Sequence, residues 1–427
     1  MNKAVTKLQS GSRIQAKIRL PGSKSITQRA LILASLARGE SRLTNALVSE
    51  DTMITTEALQ QLGVTVTWKE ETVEVKPPKR RWAQPDRPLY LHNNGTSMRF
   101  LLSLAAAGEG RFVFDGSQRL RERPVGPVLA ALETLGAACR CLDRDGYPPV
   151  EIVGNGLTGG RILVDARQSS QFLSSLLIAA PCARQEVRIG WMEPIASLPY
   201  LSLTLAMMEE AGIGFRWSSD NEIAVPAPQD YQPTLYPVEG DCSSASYFWA
   251  AAALTAGEVY TYPVSRRSHQ GDVRLLEVLE EMGCSISWEN EGVRVTGSER
   301  LQPVDLDMNS MPDMVPTLAV VAAFAHGRTQ IRNVSHLRVK ESDRLHAVAT
   351  ELAKFSVPVQ EHSDGLVIEG GKVFPPKEGV QVYKDHRIAM AFALAGLCVE
   401  GVEIIGAEAV AKSFPTFWDI FERLGGQ

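Results

Sequence analysis

The sequence predicts an α/β protein assembled from six copies of one unit. Three observations carry that reading: a helix-ending motif that returns about every 72 residues, a polar helix-opening motif that returns at the same interval, and alternating strand patterns behind the helix ends. The ending motif runs as ALQQLG to Gly63, ALETLG to Gly136, MMEEAG to Gly212, VLEEMG to Gly283, ELAKFS to Ser356 and IFERLG to Gly425, at intervals of 73, 76, 71, 73 and 69 residues. A glycine there adopts the left-handed conformation that closes a helix and releases the chain into a strand such as VTVTW, ISW or GFRW.

The opening motif appears as SKSITQRA near Ser25, NNGTSMRF near Gly95, RQSSQFL near Ser170, DCSSASYF near Ser243, NSMPDMVP near Asp313 and DHRIAM near His386. Ser, Thr, Asn and Asp accept hydrogen bonds from the free amides of a helix start, so each copy is expected to open on a capped helix. The helices that follow, among them RALILASLA, FLLSLAAAG, FLSSLLIAA and YFWAAAALTAG, are apolar on nearly every side and are expected to be buried. The unit reads as strand, helix, strand, helix, strand, strand.

A chain of 427 residues exceeds one hydrophobic core and predicts two or three domains. At 44% hydrophobic and 22% charged residues it is an ordinary globular composition, and a net charge of −5 excludes a general nucleic-acid binder. No apolar run reaches the roughly 18–20 residues of a membrane span, and the opening MNKAVTKLQSGSR lacks a secretory core, so no membrane association and a cytoplasmic location are expected. Cys139, Cys141, Cys182, Cys242, Cys284 and Cys398 form no CxxC pair and no Cys/His ligand spacing, and read as structural thiols. Cys139 and Cys141 share a strand face with their α-carbons too far apart for an easy bridge.

Basic groups gather where the helices start. Lys24, Arg29, Arg99 and Arg387, with Asp313 and Asp385, lie in the opening motifs; Arg121, Arg123, the run LRVKESDR (Arg338, Lys340, Glu341, Asp343, Arg344) and Lys412 lie in connecting segments. Helix N-termini carry roughly half a positive charge and bare N–H groups, so their convergence with Arg and Lys points to a ligand bearing phosphate and carboxylate. A noncatalytic repeat scaffold also explains the period, but a solenoid repeats its surface chemistry, whereas these six starts carry different, complementary groups. Glu341 and Asp343 are equally placed to pair with Arg338 or Arg344, and for Asp343 that structural role is the expected one. His336 and His346 read as surface or capping residues, and His386 as a neutral group orienting its neighbours.

Nine ordered strings, LPGSKSITQRA (20–30), NNGTSMR (93–99), RERPVG (121–126), SSQFLSSLL (169–177), EGDCSSASYF (239–248), DMNSMPDM (307–314), LRVKESDR (337–344), KDHRIAM (384–390) and AVAKSFPTFW (409–418), together resemble the enolpyruvylshikimate-phosphate synthases nearly end to end. The resemblance implies a two-domain inside-out α/β barrel: six βαβαββ units, three per domain, with parallel helices buried and sheets outside. The domains would be residues 1–20 plus 241–427 and residues 21–240, crossing near Leu20 and Gly240, with the active site in the cleft between them. It implies transfer of the enolpyruvyl group of phosphoenolpyruvate to the 5-hydroxyl of shikimate 3-phosphate, with release of phosphate. Neither cofactor nor metal is implied, and a monomer is expected.

By motif, shikimate 3-phosphate would meet Lys24, Ser25, Arg29, Ser169, Ser170, Gln171, Ser197, Tyr200, Asp313, His336 and Lys340. Phosphoenolpyruvate would meet Lys24, Asn93, Gly95, Arg123, Gln171, Glu341, Arg344, Arg387 and Lys412. Lys24, Asp313 and Glu341 would be catalytic, Asp313 as the hydroxyl base and the other two as the acid/base pair near the methylene carbon and the departing phosphate. His336 and Leu198 stand where many relatives have Asn and Lys. Asn94 and Phe100 replace the Ala and Pro of the bacterial enzymes most sensitive to glyphosate, so reduced sensitivity is expected. The sister enzymes acting on UDP-N-acetylglucosamine carry a reactive Cys in a mobile loop; RLRERPVG has none.

Overall fold

Helices that are apolar on all sides find no stable place at a surface, and the protein puts six of them inside two separate cores. A computed structural model, which describes residues 1–9, 12–78, 82 and 84–425, shows three in the unit formed by residues 24–238: Lys24–Leu36, Gly95–Ala107 and Gln171–Ala179. The unit formed by residues 1–23 and 239–427 holds Cys242–Leu254, Val315–Phe324 and His386–Cys398. Small side chains let these helices approach one another. Ser103 and Ser175, 72 residues apart, share a short hydroxyl hydrogen bond, and Ser246 faces Thr317 at 3.4 Å. Both separations are one repeat, so copies of the unit pack through equivalent positions.

Outside the helices lie the sheets, and among the described residues five of six share one four-stranded pattern. In one of them Leu89–Tyr90 runs parallel to Glu109–Asp115, the buried helix Gly95–Ala107 forming the crossover. An outer helix, Gly126–Thr134, then leads into the antiparallel strands Ala138–Cys141 and Val150–Asn155. Phe112 and Phe114 point inward while Glu109 and Arg111 stay exposed, the alternation expected of a sheet with one wet face. All six cysteines are free thiols.

The units trade their opening strands. Gln15–Arg19 pairs in parallel with Glu258–Tyr262, although the helix that follows it in sequence, Lys24–Leu36, belongs to residues 24–238. Leu235–Pro237 correspondingly pairs with Ser41–Thr44. Gly22 and Gly240 form a bridge where the chain turns, and a Cβ on Gly240 would stand 2.3 Å from the Pro263 carbonyl oxygen, so only glycine fits. The sixth copy departs from the full unit: among the described residues its sheet has three strands, Val380–Gln381, Glu403–Ile405 and the N-terminal Asn2–Ala4, which takes the antiparallel place that a hairpin strand holds in the other five.

The helix ends follow the sequence reading. Gly63, Gly136, Gly212 and Gly283 have φ of +89°, +92°, +83° and +104°, and Ser356 adopts +61° at the same point. Gly425 ends a 3₁₀ turn, Arg423–Gly425. The starts are less uniform than expected. Asn94, Asp241 and Asp385 accept the amides of Ser97, Ser244 and Arg387 at 3.0, 2.7 and 2.9 Å. Ser170 and Met314 make no side-chain cap bond. At Met314 the chain enters through the turn Pro312–Met314, and Pro316 offers no N–H to cap, which leaves the Asp313 carboxylate for other partners.

Ser356 tests the repeat directly, because a side chain in the left-handed region carries strain that glycine lacks. Ser356→Gly is expected to stabilise the protein by about 0.5–1 kcal/mol, read as a higher denaturant midpoint at unchanged slope. A lower midpoint contradicts the helix-end assignment.

Candidate functional site

In the unit of residues 1–23 and 239–427, three helix starts bring opposite charges into one buried network. Asp313 lies in the turn before Val315–Phe324, Arg344 opens Arg344–Lys354, and Asp385 and Arg387 open His386–Cys398. Arg344, its side chain 1% exposed, donates Nε to Asp385 Oδ2 and Nη1 to Asp313 Oδ1, both at 2.8 Å, and Nη2 to Glu341 Oε2 at 2.9 Å. Arg387 donates Nη2 to Asp313 Oδ2 at 2.8 Å and to Ser243 Oγ at 3.2 Å. Removing one partner from such a network costs about 3–5 kcal/mol, because the remaining charge is stranded away from water.

The network sets protonation states. Burial by itself would raise the Asp313 carboxyl, but Arg387, Arg344 and Lys340 outweigh it and hold the group well below the usual carboxylate range. Burial would lower Arg344, yet Asp385, Glu341 and Asp313 more than offset it. His336 corrects the surface reading: it is 3% exposed, within the turn Ser335–Val339, and burial with the nearby Lys340 pushes it down to about 3. It is therefore neutral at physiological pH, and among the described residues its Nε2 has no hydrogen-bond partner. Lys340 follows that turn half-buried, and Lys412 is buried at the end of Ala407–Lys412. Asp343 has the structural role: it accepts from Arg338 Nη1 at 2.9 Å and caps the His346 amide at 3.1 Å. Glu341 remains inside the network through Arg344.

The unit of residues 24–238 gathers the other predicted residues at its own helix starts. Lys24, the first residue of its helix, pairs with Asp51 at 3.0 Å. Arg29, one turn further in and 2% exposed, donates to Thr204 Oγ1 at 2.9 Å and to the carbonyls of Ser25 and Tyr200 at 3.1 and 3.5 Å. Its guanidinium lies over the rings of Phe100 and Tyr200 at 5.3 and 5.6 Å. Burial lowers Arg29 to about 10, so it stays charged at neutral pH. It thereby holds two other predicted residues, Ser25 and Tyr200, by their backbones.

Gly95 opens its helix directly behind Arg123. A Cβ there would stand 2.5–2.7 Å from the guanidinium carbon and terminal nitrogens of Arg123, whose Nη1 donates to the Asn93 carbonyl at 3.3 Å. Gln171 is clamped: its Oε1 accepts from Arg99 at 2.5 Å and its Nε2 donates to Thr96 Oγ1 at 2.9 Å. Ser169 Oγ accepts the Gln171 amide at 3.3 Å, and Ser170 is buried beside it. Ser197 is buried with φ of +59°, a strained non-glycine conformation typical of functional positions. Arg121 stands apart, its fork engaged with Asp115 at 2.8 and 2.6 Å.

Sequence reading gave no site role to Asp51, Thr204 and Ser243, the buried partners of Lys24, Arg29 and Arg387, or to Asp272, which accepts from Ser243. Asp51 follows the Ser49 cap in Glu50–Gln61 and reads locally as an ordinary first-turn acid. A cavity of about 590 Å³ in the same unit lies away from these residues, at the far ends of the buried helices, lined by Leu36, Ala107, Cys182 and Tyr231.

The family model described as EPSP synthase (3-phosphoshikimate 1-carboxyvinyltransferase) matches residues 8–421. The chain is 60% identical over 413 residues to the 3-phosphoshikimate 1-carboxyvinyltransferase of Syntrophobacter fumaroxidans, covering 97% of this chain and 98% of that one. To the enzyme of the same name from Nostoc punctiforme it is 41% identical, with 96% of each chain covered. The solved EPSP synthase of Acinetobacter baumannii superposes with a TM-score of 0.82 at 29% identity, over 99% of this chain and 98% of that one. The helix-start network and these likenesses lead to one assignment: the chain belongs to the EPSP synthase family.

Proposed function

We propose that the chain transfers the enolpyruvyl group of phosphoenolpyruvate to the 5-hydroxyl of shikimate 3-phosphate and releases phosphate, in the shikimate pathway to aromatic amino acids. Beyond family membership, the observation that supports this most is Asp313 held between Arg344 and Arg387. A carboxylate that bridges two buried arginines, one oxygen to each, marks a place built for anionic ligands. When the donor's carboxylate takes those forks, Asp313 is relieved of the charges that depress it and becomes a better base.

The residues divide by the chemistry required. Arg123, Arg344, Arg387 and Lys412 hold the donor's carboxylate and phosphate, while Asn93, Gly95 and Gln171 shape the space beside them. Ser25, Ser169, Ser170, Ser197, Tyr200, Lys340 and neutral His336 suit the ring hydroxyls and phosphate of the acceptor, with Arg29 setting Ser25 and Tyr200. Asp313 takes the hydroxyl proton as the Lys24 and Glu341 pair delivers a proton to the methylene carbon, giving the tetrahedral ketal; the pair then takes a proton back from the new methyl group as phosphate leaves, which restores the double bond. We read the protein as a cytoplasmic monomer; among the described residues no helix is long and apolar enough to cross a membrane.

The deciding experiment measures phosphate release from phosphoenolpyruvate with shikimate 3-phosphate, with UDP-N-acetylglucosamine, and with neither. Release that requires shikimate 3-phosphate is expected; release only with the nucleotide sugar, or none, overturns the reading. In the same assay Lys24→Met is expected to lose at least roughly a hundredfold in turnover, the scale of one general acid/base group, while the protein stays folded with a lower thermal midpoint because the buried Asp51 carboxylate loses its ammonium partner. Ordinary activity in that variant removes Lys24 from the chemistry.

Gly95→Ala forces the Arg123 guanidinium aside. Loss of one charge-assisted hydrogen bond is expected to raise KM for phosphoenolpyruvate roughly tenfold while KM for shikimate 3-phosphate stays near its original value. Equal changes in both contradict the placing of Arg123. Asn94, bonded to the Asp51 carbonyl at 2.7 Å, and Phe100, buried under Arg29, both fix the helix that carries Gly95. Glyphosate inhibition is therefore expected to be weak, and an inhibition constant equal to that of sensitive bacterial enzymes at matched phosphoenolpyruvate contradicts this.

A further inference from the structure

Behind Arg387 stands a buried carboxylate to which the proposed chemistry gives no role. Asp272, in the turn Gly271–Arg274, is 2% exposed. Its Oδ2 accepts a short hydrogen bond from Ser243 Oγ, and the same Oγ accepts from Arg387 Nη2 at 3.2 Å. A hydroxyl has a single proton, so giving it to Asp272 leaves the oxygen's lone pairs for the arginine, and the chain of bonds has one direction. From its other side Nη2 reaches Asp313 Oδ2 at 2.8 Å. The turn is itself tied to the Cys242 helix: Gln270 Oε1 accepts the Cys242 amide at 3.1 Å, and its Nε2 donates to the Gly240 carbonyl at 2.9 Å.

We propose that Asp272 is a positioning residue that, through Ser243, fixes where the Arg387 guanidinium stands for the carboxylate of phosphoenolpyruvate. The inference rests on the assignment of Arg387 to that substrate. A purely packing role fits poorly, because a buried carboxylate without a directly bonded cation is costly and a neutral residue would fill the space more cheaply. The charged groups facing Asp272 are Asp313 and Asp241, which oppose its ionisation, and Arg387, which favours it. Burial, with Asp313 adding, raises its carboxyl to about 6. The ionised form is the one that orders Ser243 as donor, and it fills as pH rises through that value; protonation below it frees the hydroxyl and loosens Arg387.

The test compares wild type, Asp272→Asn, Ser243→Ala and the double variant by steady-state kinetics, varying each substrate in turn at several pH values on both sides of pH 6. Each single variant is expected to raise KM for phosphoenolpyruvate roughly tenfold, the scale of one charge-assisted hydrogen bond, with KM for shikimate 3-phosphate within about twofold of wild type. The double variant is expected to be no worse than the worse single one, since both act through one chain of bonds. The rise in wild-type phosphoenolpyruvate KM on acidification is expected to flatten in Asp272→Asn. Unchanged phosphoenolpyruvate KM in both singles, equal rises in both KM values, or additive effects overturn the inference. Should Asp272→Asn fail to fold, Ser243→Ala removes only a hydroxyl and decides the matter alone. A wild type that releases no phosphate with shikimate 3-phosphate removes the functional reading and this inference with it, whereas an active wild type with unaffected variants removes the inference only.

Discussion

Six helices that are apolar around their whole circumference constrain everything else in this protein. Along their sides such helices carry mainly small hydroxyls that bond to one another, as Ser103 does to Ser175, so most of the charged groups gather near their starts and in the loops that reach those starts. At one end the constraint leaves, in the unit of residues 24–238, the cavity lined by Leu36, Ala107 and Tyr231. At the other it concentrates bare amides, caps and arginines, and the positive ends of the helices make that concentration of anion partners favourable. The sheets outside cover the helices and fix the spacing at which the starts recur.

The energetic consequence is a set of charges that hold one another in place. Arg344 engages three carboxylates, Arg387 shares Asp313 with it, Lys24 holds Asp51, and Arg29 is fastened to carbonyls and a threonine hydroxyl. None of these arginines needs to search for a rotamer when a ligand arrives, so little ordering entropy is lost on binding. The carboxylates also occupy the space that a substrate carboxylate or phosphate would claim. On the proposed reading, binding exchanges one anion for another, and Asp313, held low by Arg387 and Arg344, gains basicity as it is released.

Much of the fold was legible because it is written in period and in local backbone chemistry. Gly63, Gly136, Gly212 and Gly283 take the left-handed conformation for reasons visible in six residues of sequence, and Ser356 shows that the packing imposes the same turn without glycine. The trade of Gln15–Arg19 for Leu235–Pro237 was not visible, since a strand's partner lies hundreds of residues away and nothing in a five-residue pattern names it. The incomplete sixth sheet, filled by Asn2–Ala4, was hidden for the same reason. Among the candidate site residues, the charged groups of the opening motifs were legible by position, and the structure brings Asp313, Asp385 and Arg387 into one network with Arg344. Asp51 and Asp272 escaped because each resembles an ordinary acid near a helix start, and only the fold shows what it touches. His336 was misplaced because histidine has no fixed burial preference, and the turn that carries it under Lys340 has no sequence signature.

The central claim is that the helix starts, and not the far ends of the helices, are where the substrates bind. The most direct measurement is a crystal structure with shikimate 3-phosphate and an unreactive phosphoenolpyruvate analogue bound. The account predicts ligand carboxylate and phosphate oxygens within hydrogen-bonding distance of Lys24, Arg123, Arg344 and Arg387, with Asp313 no longer bridging the two arginines. Ligand density in the cavity lined by Leu36, Ala107 and Tyr231, with the Arg344–Asp313–Arg387 bridge intact, would contradict it.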